Sequence, residues 1–431
     1  MAMTWLQGIS RLDFTLLWCV YAFGFGLYAW MISGKIKISL QTGLVLALAA
    51  RLISLFFEPG LSDDYYRFVW DGMLIQQGVH PMAYTPAFLM QHAEIAVVDK
   101  HLFSLLNSQH YYSVYPPVAQ WIFGLSYKIN GLSLGGHVVF YKLLLICTDA
   151  LIVLLLHLLL RKKQIPSNRI LLYALNPLVI IEFTGNLHMD GMMIAALLGA
   201  VILSEKRNIL WSSLLMALSI LSKMLTLVLI PFMPRQMYWN RITLFGIVSV
   251  TASVAVFWLS FGTHTGWLES VRLWFNSFEF NASIYYIISA VGMSVKGYNI
   301  IAVAGPALAL VTIAGIVWIW WIYIRKPGMD WSTAMLAVLT LYFLMSTTVH
   351  PWYIGSLLAL AVLSKHIYPI VWSCLIFLSY SHYADGNSAE NYWLIGIEYL
   401  FLFCWMYWEF SRNRGNDRQL FPSETYSHSE K

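Results

Sequence analysis

The sequence predicts an all-α integral membrane protein, a bundle of about 11–13 transmembrane helices with a large first outer loop that contains interfacial helices. Two features of the composition predict this class: 59% of the 431 residues are hydrophobic, and only 11% are charged. A third is the order of the chain, because apolar runs long enough to cross a hydrocarbon core of about 30 Å recur from one end to the other.

The basic residues fall in short clusters between the apolar runs, which is typical of cytoplasmic loops. An alternating path with the N-terminus outside and the C-terminus inside places these clusters in the cytoplasm: Lys35 and Lys37, Arg161–Arg169, Lys206 and Arg207, Arg235–Arg241, Arg325 and Lys326, Lys365, and Arg412–Arg418. Arg11 and Arg272 are exceptions. The formal net charge of +5 therefore indicates topology, and we expect no nucleic-acid partner.

The chain divides into a polytopic domain, residues 1–411, and a cytoplasmic tail, residues 412–431, that we expect to be disordered. The first apolar run, about Leu12–Ser33, is longer than the core of a signal peptide and should remain as an anchor. No ER-retention motif ends the sequence, which favours a bacterial plasma membrane.

The first outer loop, residues 58–135, begins with an acidic stretch and continues through irregular and interfacial segments. Pro81 and Pro86 break helices, so residues 78–86 should be irregular. Residues 87–107 mix apolar and polar side chains, as expected of helices lying on the membrane surface. The run opened by Tyr115-Pro116-Pro117 is short for a crossing, and we interpret it as re-entrant or interfacial.

The same topology places the polar motifs outside, although they were not used to build it. The outer segments are Glu58–His110, Gly185–Asp190, the turn at Lys223, Phe261–Ser283, Val349–Tyr353 and Ser381–Asn391. Polar and ionisable residues that gather on one face of the membrane predict a single functional site at that face.

The acidic stretch Ser62–Gly72, SDDYYRFVWDG, is the strongest candidate for that site. In a helix, Asp63, Asp64 and Asp71 lie three or four residues from Arg67, within reach of its guanidinium. The cluster then holds one carboxylate ionised and leaves a second acid free for chemistry. The alternative is a helix-capping acid with ordinary surface salt bridges.

Charged residues inside predicted crossings predict either partners or function. Arg51 could reach an anionic lipid headgroup, or it could form a salt bridge with an acid nearby. Asp149 lies deep in its segment, and we favour a structural interpretation in which it is the partner of a donor on a neighbouring helix.

Two further motifs have both functional and structural interpretations. GNLHMDG offers Asn186, His188 and Asp190 at an outer helix junction, either as phosphate or metal contacts or as a capped interhelical turn. HPWY offers His350, Trp352 and Tyr353, either as sugar and phosphate contacts or as part of an interfacial aromatic belt. Lys223, at an outer turn, suits a phosphate, with snorkelling as the alternative.

With these motifs assembled, the sequence resembles the GT-C superfamily of multi-pass glycosyltransferases. The residues that carry the resemblance are SDDYYRFVWDG, GVHPMAYTP, Tyr115-Pro116-Pro117, Asn176-Pro177 followed by GNLHMDG, Lys223 with Pro231, and HPWY. It looks closest to bacterial polyprenyl-phosphate-mannose-dependent mannosyltransferases and to the first mannosyltransferase of GPI-anchor assembly. Motifs of other enzymes, such as G-x-S-x-G, a P-loop or H-E-x-x-H, do not occur.

The resemblance implies a GT-C type bundle that moves a hexose, mannose in the first place, from a polyprenyl-phosphate donor to a hydroxyl. Because a phosphodiester leaves without a second carboxylate as acid, we expect direct displacement with inversion. An acidic residue in the first outer loop activates the acceptor, and here that residue is Asp63 or Asp64. The GPI relative has a D-x-D pair whereas these acids are adjacent, so the choice of base and the presence of a divalent metal, Mg²⁺ or Mn²⁺, stay open. The expected substrate- and donor-binding residues are Arg51, Arg67, Asp71, Tyr84, Tyr115, Asn186, His188, Asp190, Lys223, His350, Trp352 and Tyr353.

The acceptor is left open by the sequence: a glycolipid, a growing glycan or a protein hydroxyl, bound beside membrane lipid. The runner-up function is a polytopic transporter or a flippase for lipid-linked sugars, with intramembrane charges such as Arg51 and Asp149 along its path. The absence of two halves with mirrored broken helices argues against it.

Overall fold

A computed structural model of the chain describes residues 8–35, 38–235, 239–262, 266–386 and 388–413. The predicted cytoplasmic tail lies outside these ranges except for its first two residues. The described residues contain no β-strand beyond an isolated bridge between Phe280 and Thr348. The predicted all-α class is therefore confirmed.

The α-helices follow one another in a chain of long and short segments. They are α1 Phe14–Ile32, α2 Leu40–Ser54, α3 Asp64–Gln76, α4 Pro86–Leu89, α5 Lys100–Leu105, α6 Pro117–Asn130, α7 Leu134–Lys162, α8 Leu171–Ala174, α9 Pro177–Val179, α10 Asp190–Glu205, α11 Ile209–Ser222, α12 Trp239–Phe261, α13 Gly266–Asn276, α14 Ile284–Lys296, α15 Ile301–Arg325, α16 Trp331–Met345, α17 Ile354–Val362, α18 Tyr368–Leu375 and α19 Tyr392–Asn413. Segments of 3₁₀-helix cover Ser167–Ile170, Met224–Phe232, Pro351–Tyr353 and Ile376–Gly386, and a π-helical segment covers Ile180–Gly185.

Four of the described helices are long and apolar enough to cross a membrane: α1, α7, residues Arg241–Phe261 of α12, and α15. A fifth span results if Pro177–Gly185 and α10 count as one segment, which bends by 111° at its break. Five more apolar helical segments are only 10–17 residues long. These helices confirm an integral membrane protein, and the count of 11–13 crossings stays a prediction.

The outer loop is organised by the packing of α3 against α6. Phe68 stacks on Phe123 with ring centroids 4.5 Å apart and planes within 8°. Gly72 permits this approach, since a Cβ at that position would clash with the carbonyl oxygen of Phe123. Only 14 residues long, α6 agrees with the short helix predicted after Tyr115-Pro116-Pro117. This close contact positions α3, which carries Asp64 at its first residue.

Two buried cations hold the helices beneath this loop. Arg51 Nε lies 2.7 Å from Asp149 Oδ2, and the two side chains are only 4% and 3% exposed. Tyr173 donates a further hydrogen bond of 3.0 Å to Asp149. Lys142 donates to the carbonyl oxygens of Ser54, at the end of α2, and of Phe57. The partner role predicted for Asp149 is confirmed.

The break between the π-helical segment and α10 presents the second polar motif. Residues 186–189 form the turn, and Asp190 opens α10. Asn186 accepts a 3.2 Å hydrogen bond from the backbone of Leu61 and donates to Glu182. Because Leu61 comes two residues before Asp63, this contact ties the turn to the acidic loop.

Candidate active site

A cavity of about 750 Å³ lies where the acidic loop, the 186–190 turn and the 350–353 segment meet. Of the predicted site residues, it is lined by Asp63, Asp64, Arg67, Tyr115, His188, Asp190, Lys223, His350, Trp352 and Tyr353. These residues come from stretches almost 300 positions apart, and the fold brings them to one place. Residues from the acidic stretch, GNLHMDG and HPWY therefore line one cavity together with Lys223.

Four predicted site residues lie elsewhere. Arg51 is buried against Asp149, because a charge inside the bundle needs a partner, so the headgroup contact considered for it is not what the structure has. Asp71 is fully buried behind Arg67. Tyr84 stacks on Phe88 at 5.2 Å, and Asn186 is occupied in tying the turn to Leu61.

The expected cluster of three acids around Arg67 is wrong. Arg67 Nε contacts Asp71 Oδ1 at 2.8 Å, and Nη1 donates to the carbonyl oxygens of Ser108 and Tyr111. Its ion pair is with Asp71 rather than with Asp63 or Asp64, and its side chain lines the cavity. Asp71 and the two carbonyls occupy the Nε and Nη1 donors of the guanidinium, while its Nη2 is buried without a hydrogen-bond partner among the described residues.

Asp63 and Asp64 are adjacent in sequence but have different partners. Asp63 Oδ2 lies 2.5 Å from Nη2 of Arg11, a residue that precedes α1. Asp64 Oδ1 accepts a 3.1 Å hydrogen bond from Asn107 Nδ2. Asp63 occupies the N-cap position of α3 but makes no side-chain capping bond. The capping alternative considered for these acids does not apply to it.

Burial raises the pKa of Asp64 above the usual aspartate value, although hydrogen bonds from Asn107 and Tyr115 oppose the shift. A carboxylate with a raised pKa holds a proton more strongly and is a better general base. Of the adjacent acids, Asp64 therefore combines cavity exposure with a basicity suited to accepting a proton.

The cation best placed to meet an anionic ligand in the cavity is Lys223. Its Nζ lies 2.5 Å from Asp190 Oδ1 and 3.7 Å from the centroid of the Tyr353 ring. An ammonium carries three N–H donors, of which Asp190 uses one. The side chain is 27% exposed, so the remaining donors can reach a ligand.

Aromatic rings and imidazoles form a stack beside Lys223, in the order Phe280, His350, Trp352, His188. Successive centroids are 4.7, 4.3 and 3.6 Å apart. Burial lowers the pKa of His350 to about 3 and that of His188 well below its usual value, so both rings are neutral at ordinary pH. Stacked rings leave their edges to a ligand, which weakens the sugar-stacking role predicted for Trp352.

Several cavity residues were missed by the sequence analysis, notably Arg11, Asn107, Tyr111 and Tyr383. For Arg11 a signal existed, since it breaks the positive-inside pattern and a basic residue on the outer side has to be explained. No comparable signal marked the others, which are polar residues typical of any loop.

The residues present do not fit the divalent metal that was left open at the acid pair. The two carboxylates serve different partners, and the guanidinium of Arg11 already lies where a cation on Asp63 would bind. Among the residues that the structure describes, no three His, Cys, Asp or Glu side chains converge as metal ligands. We derive no step through a metal.

Known proteins of one family are similar to this chain. Residues 2–240 match the family model described as "Alpha-(1->6)-mannopyranosyltransferase, N-terminal domain". The chain is also similar to Alpha-(1->6)-mannopyranosyltransferase A of Corynebacterium glutamicum, with 23% identity over 456 aligned positions that cover 93% of this chain and 88% of the relative.

Proposed function

Since that family model covers more than half of its residues, the chain belongs to the alpha-(1->6)-mannopyranosyltransferase family, and we propose that it moves mannose from a polyprenyl-phosphate donor to a sugar hydroxyl at the outer membrane face. The observation that carries the proposal is one cavity lined by both Asp64 and Lys223. One can accept a proton and the other can stabilise a phosphate.

A polyprenyl-linked donor is supported by the mixed polar and apolar lining of the cavity. Its polar lining includes Asp64, Asn107, Asp190 and Lys223, and its apolar lining includes Met82, Phe257, Phe261, Trp267, Leu273 and Phe278. A lipid-linked sugar needs both surfaces, because the sugar and phosphate are polar and the polyprenyl chain is apolar.

We propose a direct displacement with inversion at the anomeric carbon. Asp64 takes the proton of the acceptor hydroxyl as the acceptor oxygen bonds to C1, and the bond between C1 and the phosphate oxygen breaks. The electron pair leaves with the polyprenyl phosphate, whose developing charge is stabilised by Lys223. A phosphate leaves without a proton donor, so no second carboxylate is required as an acid.

The choice of a sugar acceptor rests on the family and on the relative's name, which specifies transfer of a mannopyranosyl group in an α-(1→6) linkage. Of the three acceptor classes that the sequence left open, a glycan or glycolipid hydroxyl agrees with that name and a protein hydroxyl does not.

The outward orientation in a bacterial plasma membrane rests on the positive-inside pattern and on the course of α10. Asp190 opens this helix in the cavity, and Glu205 ends it 3.0 Å from Lys162, in the basic cluster assigned to the cytoplasm. Sixteen helical residues separate these ends by about 24 Å. The cavity and the basic cluster therefore belong to opposite faces.

The test is sugar transfer by the purified full-length protein in lipid nanodiscs, with labelled polyprenyl-phosphate mannose and short mannosides as acceptors. We expect label on the acceptor with the wild type and with Glu94→Gln, an exposed acid outside the cavity, and none with Asp64→Asn. If folded wild-type protein transfers no sugar from any polyprenyl-phosphate donor, the proposed donor is wrong. Active Asp64→Asn would remove Asp64 as the base.

A further inference from the structure

Arg11 lies outside the predicted motifs, yet the fold carries it into the cavity. It belongs to the short segment before α1, and its Nη2 is 2.5 Å from Asp63 Oδ2. Its guanidinium carbon also lies 5.0 Å from the ring centroid of Tyr383, which belongs to the 3₁₀ segment 376–386. Arg11 thus joins three parts of the chain that are distant in sequence.

The orientation of Asp63 depends on this contact. An aspartate at an N-cap usually accepts a hydrogen bond from a backbone N–H of the first helical turn. The Asp63 side chain makes no such bond and is turned toward Arg11 instead. The neighbouring acid, Asp64, contacts Asn107 on the loop after α5.

We propose that Arg11 is a positioning residue for the transfer reaction, which pairs with Asp63 and leaves Asp64 to take the acceptor proton. This inference rests on the proposed function, because it assumes that Asp64 is the base. It assigns different roles to two acids that are indistinguishable in the sequence.

The physical argument is the balance of charge around Asp64. Two adjacent ionised carboxylates repel, so an uncompensated Asp63 would favour the protonated form of Asp64. Arg11 cancels that charge at close range. Among the residues that the structure describes, the groups that interact with Asp64 include Asp63, Arg11, Asn107, Tyr115, Tyr353 and Tyr383. Of these, Asp63 and Arg11 alone carry charge when the tyrosines are neutral.

The sign of the expected effect follows directly. Asp64 accepts a proton only when ionised, so activity is lost as the pH falls through its pKa. Removing the positive charge of Arg11 while keeping the negative charge of Asp63 raises the pKa of Asp64. The acidic limb of the profile of kcat/KM against pH should then move to higher pH.

The experiment measures this profile for wild type, Arg11→Gln, Arg11→Lys and the double variant Arg11→Gln/Asp63→Asn, in nanodiscs. We expect the acidic limb of Arg11→Gln to move up by about one pH unit and that of Arg11→Lys to stay near the wild type. The double variant removes a net-neutral pair, so its limb should return toward the wild-type position. Arg272→Gln, which removes an arginine from the exposed pair with Glu269, is the matched control with an unchanged limb.

An unmoved limb in Arg11→Gln, or a double variant displaced as far as Arg11→Gln, overturns the inference. If Arg11→Gln does not fold, Asp63→Asn alone serves, because leaving Arg11 unopposed should move the limb to lower pH. Failure of the proposed function gives a different result, since the wild type then transfers no sugar at any pH.

Discussion

Lys223 and Asp190 form a salt bridge of 2.5 Å that joins the end of α11 to the start of α10 at the cavity wall. The ring of Tyr353 lies against the same ammonium group, at 3.7 Å from its centroid. This arrangement fixes one positive charge beside a neutral stack of imidazoles and aromatic rings. The ammonium group of Lys223 is therefore held in one position, as its proposed role in stabilising the leaving phosphate requires.

Replacing Lys223 with Gln should reduce kcat by about 10²-fold or more, because the leaving phosphate loses its charge stabilisation. Lys223→Arg should retain part of the rate, since the charge remains. Single-turnover measurements with labelled donor separate this effect from donor binding. Equal rates for Lys223→Gln and the wild type would exclude Lys223 from the reaction.

Asp64→Asn should reduce kcat/KM by about 10²–10⁴-fold, the contribution of a general base. The amide can accept the hydrogen bond of Asn107 in place of the carboxylate, so the fold should be retained. Transfer rates of the purified protein measure the loss of kcat/KM, and its thermal unfolding shows whether the fold is retained. A rate within a few-fold of the Glu94→Gln control contradicts the assignment.

Gly72→Ala should destabilise the packing of α3 on α6, because its Cβ meets the backbone carbonyl of Phe123 and neither helix can move without repacking. We expect a cost of about 1–3 kcal/mol and a lower melting temperature. Gly26→Ala in α1 is the matched control, since nothing lies within 4 Å of its added Cβ. Equal melting temperatures for the two variants would show that the contact is not rigid.

Asp71→Ala should destabilise the outer loop by about 3–5 kcal/mol, because it leaves the buried guanidinium of Arg67 without its carboxylate. The Arg67 and Asp71 side chains are 3% and 0% exposed. Glu269→Ala breaks the exposed pair with Arg272 and should cost less than about 1 kcal/mol. Thermal unfolding of the two variants compares them, and similar losses would contradict the argument from burial.

The topology predicts that a cysteine at Val97, which is 78% exposed in the outer loop, reacts with a membrane-impermeant thiol reagent added to whole cells. A cysteine at Gly328, in the exposed turn between α15 and α16, should react only after the cells are opened. Both are made in a background without the four native cysteines. The reverse pattern would invert the proposed orientation.

The sequence allowed the fold class to be predicted because hydrophobicity and charge act through local composition. Apolar runs and basic clusters identify membrane helices wherever they occur in the chain, and they need no knowledge of which helices touch. The family resemblance added the acid pair, GNLHMDG, Lys223 and HPWY as candidate site residues, since short motifs can be recognised from residue types alone.

The individual partners could not be predicted in the same way. Local spacing favoured Arg67 as the partner of Asp63, whereas the structure gives that role to Arg11, 52 residues earlier. Arg51 had both a headgroup and an ion-pair interpretation, and only the position of Asp149 on a neighbouring helix decides between them.

By itself, then, the sequence determined an all-α membrane protein of the mannosyltransferase class and the chemical groups available to its site. The tertiary structure alone decided which of those groups face the cavity and which neutralise one another. The physical reason is that a charge in a poorly hydrated interior is stabilised by whichever opposite charge the fold brings within a few ångströms, whatever their separation along the chain.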